Sequence, residues 1–330
     1  MGNKIDVVIT WVDGNDPIWL KEKNKYLSNK DDNSFVGASN RYQDNGLLKY
    51  LFRGIEKYML WVNKVFFVTY GHLPTWLNVD NEKLVVVKHE EFIPQEYLPT
   101  FNSNAILLNL HRIKGLSEHF IFFNDDMFVI DKCKPTIFFK KGLPCDMAVM
   151  NPIVAPNLDP FWDMMLNNIM VVNRSFNKKE VIKLHPFKWY SVRYGFKNLL
   201  RNFSCSIYRF FPGFYETHIP NAYLKNEYED FWDKNYDVCH STCLNKFRNE
   251  GDITEWAVRY WQMAKNHFMP INKNAIGEYT SLQDNSAISF IFRKTKCKLV
   301  CFNDIGNEET FRSVDAFLKG LLHEKSIYEK

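Results

Sequence analysis

The sequence predicts an α/β fold in which a mostly parallel β-sheet carries helices on both faces. Short apolar and β-branched runs alternate along the chain with segments of helical periodicity, which is the pattern of a parallel sheet. Several of these runs end in Asp, Asn and Gly, as strands that lead into loops do. With 330 residues, 46% of them hydrophobic and 24% charged, the chain can bury a large core and is not disordered.

Strands and helices alternate in the first half of the chain. Strands are predicted at residues 5–10 (IDVVIT), 64–69 (KVFFVT), 83–88 (KLVVVK) and 119–123 (HFIFF). A helix is predicted where apolar residues recur at positions 47, 48, 51, 52, 55 and 59, with Asp44 or Asn45 as its N-cap. A second helix is predicted from Ser103, its expected cap, to about residue 113.

The second half is predicted to be more helical and less regular. An edge strand is expected at 145–151, helices through 159–264 including one at 252–265, a strand within 288–302 and a tail helix at 310–324. We therefore divide the chain into an α/β core at 1–150, a largely helical subdomain inserted at 151–285, and a C-terminal part at 286–330. That last part is predicted to supply return strands that complete the core, followed by a helix.

The positive charge is concentrated in one segment. The formal net charge is only +4, so no nucleic-acid partner is expected. Residues 181–215 nevertheless contain no Asp or Glu, and their basic residues are Lys183, Lys188, Arg193, Lys197, Arg201 and Arg209. This segment could contact an anionic membrane leaflet, guide a phosphate-bearing acceptor chain, or be a solvated cationic surface.

The sequence also predicts a cytoplasmic protein with reduced thiols. No apolar run approaches the roughly 18 residues of a membrane span, and the N-terminus lacks the apolar core of a signal peptide. We expect a cytoplasmic location, with peripheral contact at the cytoplasmic face of the membrane as an extension. The seven cysteines are scattered and odd in number. Packed thiols are favoured over a zinc site formed by the pairs Cys239 and Cys243, and Cys297 and Cys301.

Acidic and amide side chains follow three of the predicted strands. Asn124, Asp125 and Asp126 end one strand, Asp13 follows another, and Asn303 and Asp304 end a third. Charged groups cannot be buried in a strand without partners, whereas carboxylates at strand ends can hold a divalent cation against a diphosphate. The alternative interpretation is a turn that is acidic without further function.

His218 is the candidate general base. It lies in GFYETHIP between Pro212 and Pro220, where no regular helix buries the imidazole in a core. Histidine suits proton transfer near neutral pH. The alternative is that His218 is one of nine histidines without a catalytic role.

Four stretches together resemble a known family. They are IDVVITWVDGNDP (5–17), the long segments 41–78 (RYQDNGLL…) and 98–128 (LPTFNSNA…), and KLVCFND (298–304). In this order they are similar to the four successive conserved regions of the Stealth family. That family comprises sugar-1-phosphate transferases of capsule and cell-surface polysaccharide synthesis, and it is related to the catalytic subunit of N-acetylglucosamine-1-phosphotransferase.

The resemblance implies a Rossmann-like, GT-A-like fold and a specific reaction. Hexose-1-phosphate would pass from a UDP-hexose bound by the core at 1–150 to a hydroxyl of a glycan or lipid-linked oligosaccharide, which the helical subdomain would bind. A phosphodiester would form and UMP would leave. The first alternative is a GT-A-type glycosyltransferase that transfers only the sugar and releases UDP, and the second is a non-catalytic lectin-like or scaffold protein.

The resemblance also implies roles for individual residues. His218 would be the base and Asp125 a second catalytic group. Mg²⁺ or Mn²⁺ would be held by Asp125, Asp126, Asn303 and Asp304. The donor would be bound by Trp11, Asp13, Gly14, Arg41, Asp44, Asn45, Arg53, Asn102, Ser103, His111, Arg112, Asn124 and Arg248.

Some of these donor-site residues have simpler interpretations. Trp11 could be a core residue, Arg53 could form an ion pair near Glu56, Ser103 could be only a helix cap, and His111 could anchor its helix.

Overall fold

The structure is a computed structural model, which describes residues 3–27, 46–282, 286–293, 297–303 and 308–330. Arg41, Asp44, Asn45 and Asp304, which the sequence placed in the site, lie outside the described residues. The strands are β1 Ile5–Thr10, β2 Val65–Thr69, β3 Leu84–Lys88, β4 His119–Phe123, β5 Met127–Val129, β6 Phe139–Lys140, β7 Leu143–Asp146, β8 Asn221–Leu224, β9 Met269–Pro270, β10 Gly277–Ser281 and β11 Leu299–Asn303. The helices are α1 Pro17–Tyr26, α2 Leu48–Tyr58, α3 Ser103–Leu108, α4 Phe161–Ser175, α5 Lys178–Leu184, α6 Pro186–Trp189, α7 Phe196–Ser204, α8 Lys225–Lys234, α9 Tyr236–Leu244, α10 Trp256–Ala264, α11 Ser286–Phe292 and α12 Glu308–Leu321.

A mostly parallel five-stranded sheet forms the centre of the fold. Its strand order is β3-β2-β1-β4-β8. The first four strands are parallel to one another, and β8 pairs antiparallel with β4 at one edge. The predicted α/β class with a mostly parallel sheet is confirmed. The span 151–285, predicted to be largely helical, supplies β8 to this sheet and so returns to the core.

The central strands are apolar because both of their faces are covered. In β1, Val7 and Ile9 lie in one core cluster and Val8 lies in another. The first cluster contains residues of α2 and α12, and the second contains residues of α3, α8, α9 and α10. Side chains that alternate between two buried faces produce the continuous apolar runs seen in the sequence.

One acid is buried at the amino end of the sheet. Asp6 in β1 is fully buried, and its carboxylate accepts hydrogen bonds from Asn63 Nδ2 at 2.7 Å, Lys64 N at 3.1 Å and Ser117 N at 2.8 Å. Asn63 and Lys64 lie in the loop before β2, and Ser117 lies in the loop before β4. A buried carboxylate with three donors fixes the starts of neighbouring strands rather than forming a site.

Two smaller sheets extend the core. The first has the order β10-β11-β5, in which β10 and β11 are parallel and β5 is antiparallel to β11. The second has the order β6-β7-β9. A third core cluster joins residues 147–150 to α4, α10 and the aromatic side chains of Trp189, Phe211 and Phe214.

Several secondary-structure predictions were wrong in detail. The N-cap of α2 is Leu47 rather than Asp44 or Asn45, and the helix expected at 252–265 is α10, Trp256–Ala264. The strand expected within 288–302 is helix α11 followed by the shorter β11, because Ala287 and Phe290, spaced as on one helix face, are both buried in the core. The edge strand at 145–151 ends with β7 at Asp146. The helix from Ser103 ends as α3 at Leu108, and its cap is Asn102, whose side chain accepts from Asn104 N.

Arg53 holds the C-terminal segment in place. Its Nε and Nη2 donate to the two carboxylate oxygens of Glu329 at 2.8 and 2.7 Å, and its Nη1 donates to Leu322 O at 2.8 Å. All three guanidinium nitrogens therefore bind protein groups. The expected donor contact of Arg53 is corrected to a structural ion pair, and the partner is Glu329 rather than the neighbouring Glu56.

We predict that Arg53→Met lowers the free energy of unfolding by roughly 3 kcal/mol, because it leaves the buried Glu329 carboxylate without its partner. Urea denaturation followed by circular dichroism measures this change. The matched control is Arg312→Met, which breaks an i,i+4 pair with Glu308 whose side chains are 75% and 78% exposed, and it should cost almost nothing.

The same pair makes a pH-dependent contribution. Burial disfavours the Glu329 carboxylate, yet the hydrogen bonds from Arg53 and Ser326 bring its pKa below the ordinary value. The stabilisation is therefore complete above the pKa of an unfolded Glu, and it is lost as the pH falls through the lower pKa of the folded state. The difference in stability between Glu329→Gln and the parent chain should shrink over that acidic range, and a difference that stays constant would contradict this assignment.

Candidate functional site

The order of the central strands creates a crevice at their carboxyl edge. From β1 the chain proceeds outward to β2 and β3, and it then returns to place β4 on the other side of β1. Ligands of open α/β sheets bind at such a reversal, outside the carboxyl ends of the two strands. The loop at 11–14 follows β1 and the turn at 124–126 follows β4, so both candidate segments border this crevice.

The acidic turn joins the central sheet to the first small sheet. Asn124, Asp125 and Asp126 are half-buried, and β5 begins directly after them. The turn is closed by a hydrogen bond from Met127 N to Asn124 O at 3.2 Å, and Phe302 N in β11 donates to Asp126 O at 2.9 Å. Strand β11 therefore fixes the backbone at Asp126, and the turn has a defined position at the crevice.

His218 lies beside this turn. One ligand atom each of Asp126, His218 and Cys301 lies within 4.8 Å of the others. The Cys301 thiol also donates to Asp126 Oδ2 at 3.3 Å. These three residues come from the β4–β5 turn, the loop before β8 and strand β11, so tertiary folding unites groups that are far apart in the sequence.

Two aromatic rings hold the imidazole of His218. Its ring meets Trp256 at 5.8 Å and Tyr279 at 5.4 Å between centroids, both edge to face. Tyr279 OH accepts a hydrogen bond from Asn303 Nδ2 at 3.2 Å, which places Asn303 at the same edge. His218 itself has a positive φ of 45°, a conformation that few non-glycine residues adopt without support.

A buried ion network supplies that support before the histidine. Arg259 in α10 is 1% exposed, and its Nε and Nη2 donate to the two oxygens of Asp146, each at 2.7 Å. Its Nη1 donates to Glu216, which also accepts from Tyr260 OH at 2.7 Å. Glu216 precedes His218 by two residues, so Arg259 fixes the chain where it enters this loop.

The same network fixes the chain after the histidine. Lys273 Nζ lies 4.0 Å from Asp146 Oδ1 and donates to Asn221 Oδ1. Asn221 is the first residue of β8. Burial lowers the pKa of Lys273 to about 8, although Asp146 opposes this effect. The segment 216–221 is therefore tied at both ends to one buried cluster of charges.

The crevice is bordered on the β1 side by Trp11, Asp13 and His72. Asp13 N donates to His72 Nε2 at 2.7 Å, so a neutral imidazole carries its proton on Nδ1. Burial lowers the pKa of His72, although Asp16, 3.8 Å away, and Asp13 oppose this effect. Among the described residues, neither His72 Nδ1 nor the buried Trp11 Nε1 has a hydrogen-bond acceptor.

Asn102 and Asn104 do not face a ligand. They are 0% and 3% exposed, and their side-chain amides donate to Asp252 Oδ2 at 2.8 and 3.2 Å. The expected donor contact of Asn102 is corrected to a buried hydrogen-bond network, shared with Asn104, that holds the start of α3. Ser103 and Arg248 lie nearer the surface, where Arg248 Nε and Nη2 donate to Ser103 Oγ at 2.8 and 2.6 Å.

His111 and Arg112 lie at the other end of the sheet. The ring of Tyr228 packs against both His111 and Phe120, with centroids 5.7 Å apart in each case. Phe120 lies near the start of β4, about 10 Å along the strand from Phe123, after which the acidic turn begins. Burial lowers the pKa of His111 to about 3, and Arg112 covers the Trp232 ring at 4.9 Å. The expected donor contact of His111 is corrected to core packing, and that of Arg112 to an exposed guanidinium that lies over Trp232.

Several residues of this region were not selected from the sequence. The sequence feature that points to His72 is its position in VTYGH, at the end of a predicted strand. Tyr279, Trp256 and Arg259 had no signal, because their importance depends on contacts across the fold. Glu255 precedes Trp256, and burial raises its pKa to about 7.

Comparisons with known proteins agree with the family resemblance. The model "Stealth protein CR1, conserved region 1" matches residues 3–31, and "Stealth protein CR2, conserved region 2" matches residues 41–145. The segments 41–78 and 98–128, which we assigned to two successive regions, thus belong to a single one. A galactosyltransferase LgtC structure solved with donor and acceptor sugar analogues aligns over 98% of both chains at 9% identity, with a TM-score of 0.40, from which neither fold nor function follows.

Curated relatives match the chain over nearly its whole length. A capsular polysaccharide phosphotransferase, WcwK, of Streptococcus pneumoniae is 40% identical over 99% of this chain and 98% of its own. An exopolysaccharide phosphotransferase, cps2G, of Lactiplantibacillus plantarum is 39% identical over 91% and 87%. A receptor polysaccharide phosphotransferase, WefC, of Streptococcus oralis is 37% identical over 99% of both chains. With two conserved regions matched and such relatives, the chain belongs to the Stealth family.

Proposed function

We propose that this protein transfers hexose-1-phosphate from a UDP-hexose to a hydroxyl of a glycan or lipid-linked oligosaccharide in capsular or exopolysaccharide synthesis. One observation carries the proposal: Asp126 and His218 come together at the carboxyl end of β4. A carboxylate that can hold a cation and an imidazole that can take a proton are the groups that phosphoryl transfer needs. The names of the relatives support the class of reaction.

The proposed step begins with the acceptor hydroxyl. Its oxygen forms a bond to the β-phosphorus, and the bond from that phosphorus to the oxygen of the α-phosphate breaks. UMP leaves with the electron pair of the broken bond, and the product is a phosphodiester. His218 takes the proton of the hydroxyl, and the rings of Trp256 and Tyr279 keep the imidazole in place for this transfer. Because the chemistry is mainly a matter of position and charge, a rigid loop at 216–221 suits it.

The residues at the turn fit a divalent cation. Asp126 supplies a carboxylate oxygen, the ligand type that Mg²⁺ and Mn²⁺ prefer, and Asp125 and Asn303 offer further oxygens at the same edge. Cys301 is less suited to these ions, and its thiol already donates to Asp126. When bound, the cation would neutralise charge on the diphosphate.

The donor would lie along the β1 side of the crevice. Trp11 and His72 provide two buried N–H groups that have no acceptor among the described residues, and an oxygen of the nucleotide would satisfy such groups. Asp13 and Gly14 lie in the loop that follows β1, and Asn124 lies in the turn that follows β4. Arg248, held by Ser103, would bind phosphate oxygens at the open end of the crevice.

The reaction itself can be tested by its products. Incubation with UDP-hexose, acceptor and Mg²⁺ should release UMP, and Asp126→Asn and His218→Gln should each lower that rate by at least about 100-fold. Chromatography of the nucleotides measures the release. Asp233→Asn and His323→Gln, which change an exposed acid and an exposed histidine away from the crevice, are the matched controls. Release of UDP instead of UMP would show that a glycosyltransferase reaction takes place.

The role of His218 can be separated from metal binding. A general base must leave its ring nitrogen available for the proton, so we expect His218→Gln to lower turnover as stated above without changing Mn²⁺ affinity in the presence of UDP. Asp126→Asn should weaken that affinity by more than about tenfold. Electron paramagnetic resonance of free Mn²⁺ measures both. If His218→Gln weakens Mn²⁺ binding as much as Asp126→Asn does, His218 is a ligand and not the base.

Arg259 should act on turnover through the position of His218. Arg259→Lys keeps the charge but loses the planar fork that binds Asp146 and Glu216, so we expect kcat to fall by at least about tenfold with little change in the KM for UDP-hexose. Steady-state kinetics at a temperature where the variant is folded measures this. Arg53→Met is the control, since it destabilises the fold at an ion pair that does not include the loop at 216–221, and it should keep kcat per folded molecule. Equal losses of kcat in both variants would contradict the positioning role.

A further inference from the structure

Helix α7 has its polar and apolar faces reversed. Helices of soluble proteins bury an apolar face and expose a polar one. In α7 the residues buried against the protein are Asn198 and Asn202, which are 9% and 0% exposed. Phe196, Leu200 and Phe203, spaced as one helical stripe, are 80%, 55% and 56% exposed. The apolar face of this helix is therefore its outer face.

The hydrogen bonds of Asn198 and Asn202 explain why α7 has its polar face toward the protein. Asn202 Nδ2 donates to Ala148 O at 2.9 Å and to Trp189 O at 2.6 Å, and its Oδ1 accepts from Met150 N at 2.6 Å. Asn198 Nδ2 donates to Tyr194 O at 3.0 Å. These bonds satisfy buried backbone groups of irregular segments, so the reversed orientation is built into the fold.

Further large apolar side chains are exposed in the segments that flank α7. Phe187 in α6, Val192 in the following turn and Ile207 after α7 are 88%, 82% and 82% exposed. Large apolar side chains scattered singly on a surface need no explanation, but a contiguous segment rich in them marks an interaction site. We define the docking face as the exposed residues of 184–210.

The charge on this segment is of one sign. Residues 181–215 contain no acid, and Lys183, Arg193, Lys197 and Arg209 are exposed among the apolar residues. Aromatic and aliphatic side chains interleaved with Lys and Arg are typical of helices that lie in the interface of a membrane with anionic lipids. A phosphate-bearing glycan could stack on the aromatic rings, but it would leave the aliphatic side chains of Val192, Leu200 and Ile207 in water.

We infer that the docking face binds the surface of a bilayer containing anionic phospholipids, with the apolar stripe of α7 inserted at the level of the headgroups. Across the part of the chain that the structure describes, no helix has the length and apolar character needed to cross a membrane. The binding that we infer is interfacial, and it combines burial of apolar side chains with electrostatic attraction.

The docking face is joined to the proposed catalytic loop. Arg201 of α7 lies over the Tyr215 ring at 4.8 Å, and Phe214 forms a β-bridge with Met150, the backbone that Asn202 holds. Tyr215 precedes His218 by three residues. Insofar as the inference rests on the proposed function, a membrane at this face would bring a lipid-linked acceptor toward the crevice.

Sedimentation with sucrose-loaded vesicles tests the inference on the full chain. We expect binding to vesicles of phosphatidylcholine and phosphatidylglycerol at low salt, and at least about tenfold weaker binding to pure phosphatidylcholine or at high salt. The double variants Phe196→Ser with Phe203→Ser, and Lys197→Glu with Arg209→Glu, should each weaken binding by more than about tenfold. Leu60→Ser with Lys83→Glu, which makes the same kinds of change on another exposed surface, should leave it unchanged.

Three results would overturn the inference. The first is no binding to anionic vesicles at low salt, and the second is binding that both docking-face variants retain. The third is a concentration-dependent dimer in sedimentation velocity that the Phe196→Ser, Phe203→Ser variant dissolves, since it would assign the face to a second copy of the chain. Nucleotide release with a water-soluble acceptor reports on the proposed reaction separately, so the two can fail independently.

Discussion

The position of the turn at Asn124–Asp126 is the constraint on which the site depends. Core residues cover both faces of β4, so polar side chains can reach solvent or a ligand only where the strand ends. There the chain enters β5, which pairs with β11, and Phe302 N fixes the backbone of Asp126. The same pairing brings Cys301 to the carboxylate. The topology of the central sheet therefore fixes the position of Asp125 and Asp126. The pairing of β5 with β11 fixes the residues around them.

A second constraint acts on the loop that carries His218. Loops are usually mobile, yet this one is held by Arg259 through Glu216 and by Lys273 through Asn221. Buried charges are costly unless each is paired, and here Asp146 pairs with both cations. This network contributes more to the geometry of the loop at 216–221 than to the net stability of the fold. It lets the backbone keep the positive φ of His218, and it links the helical part of the chain to the central sheet.

The docking face and the crevice are parts of one arrangement. The segment 147–151 and the loop at 211–218 lie between them, and the inward asparagines of α7 bind the first of these segments. From the sequence, the cationic span 181–215 could contact a membrane, guide a phosphate-bearing chain or be a solvated surface. Apolar side chains exposed among the cationic ones, which only the packed structure reveals, favour the membrane. Under the proposed membrane contact, a rigid connection between the docking face and the loop of His218 would hold the crevice at a fixed position relative to the bilayer.

The sequence by itself determined the α/β class, the strands β1 and β4 to the residue, and the acidic turn at the end of β4, because these features depend on local apolar runs and on the polar residues that end them. The family resemblance also came from local order along the chain. Tertiary structure alone decided the site, since Asp126, His218 and Cys301 come from three distant segments, and it alone reassigned Arg53, His111 and Asn102 to structural roles. Local patterns report which residues are apolar or charged, whereas partnership across the fold decides whether a charged group faces a ligand or another part of the chain.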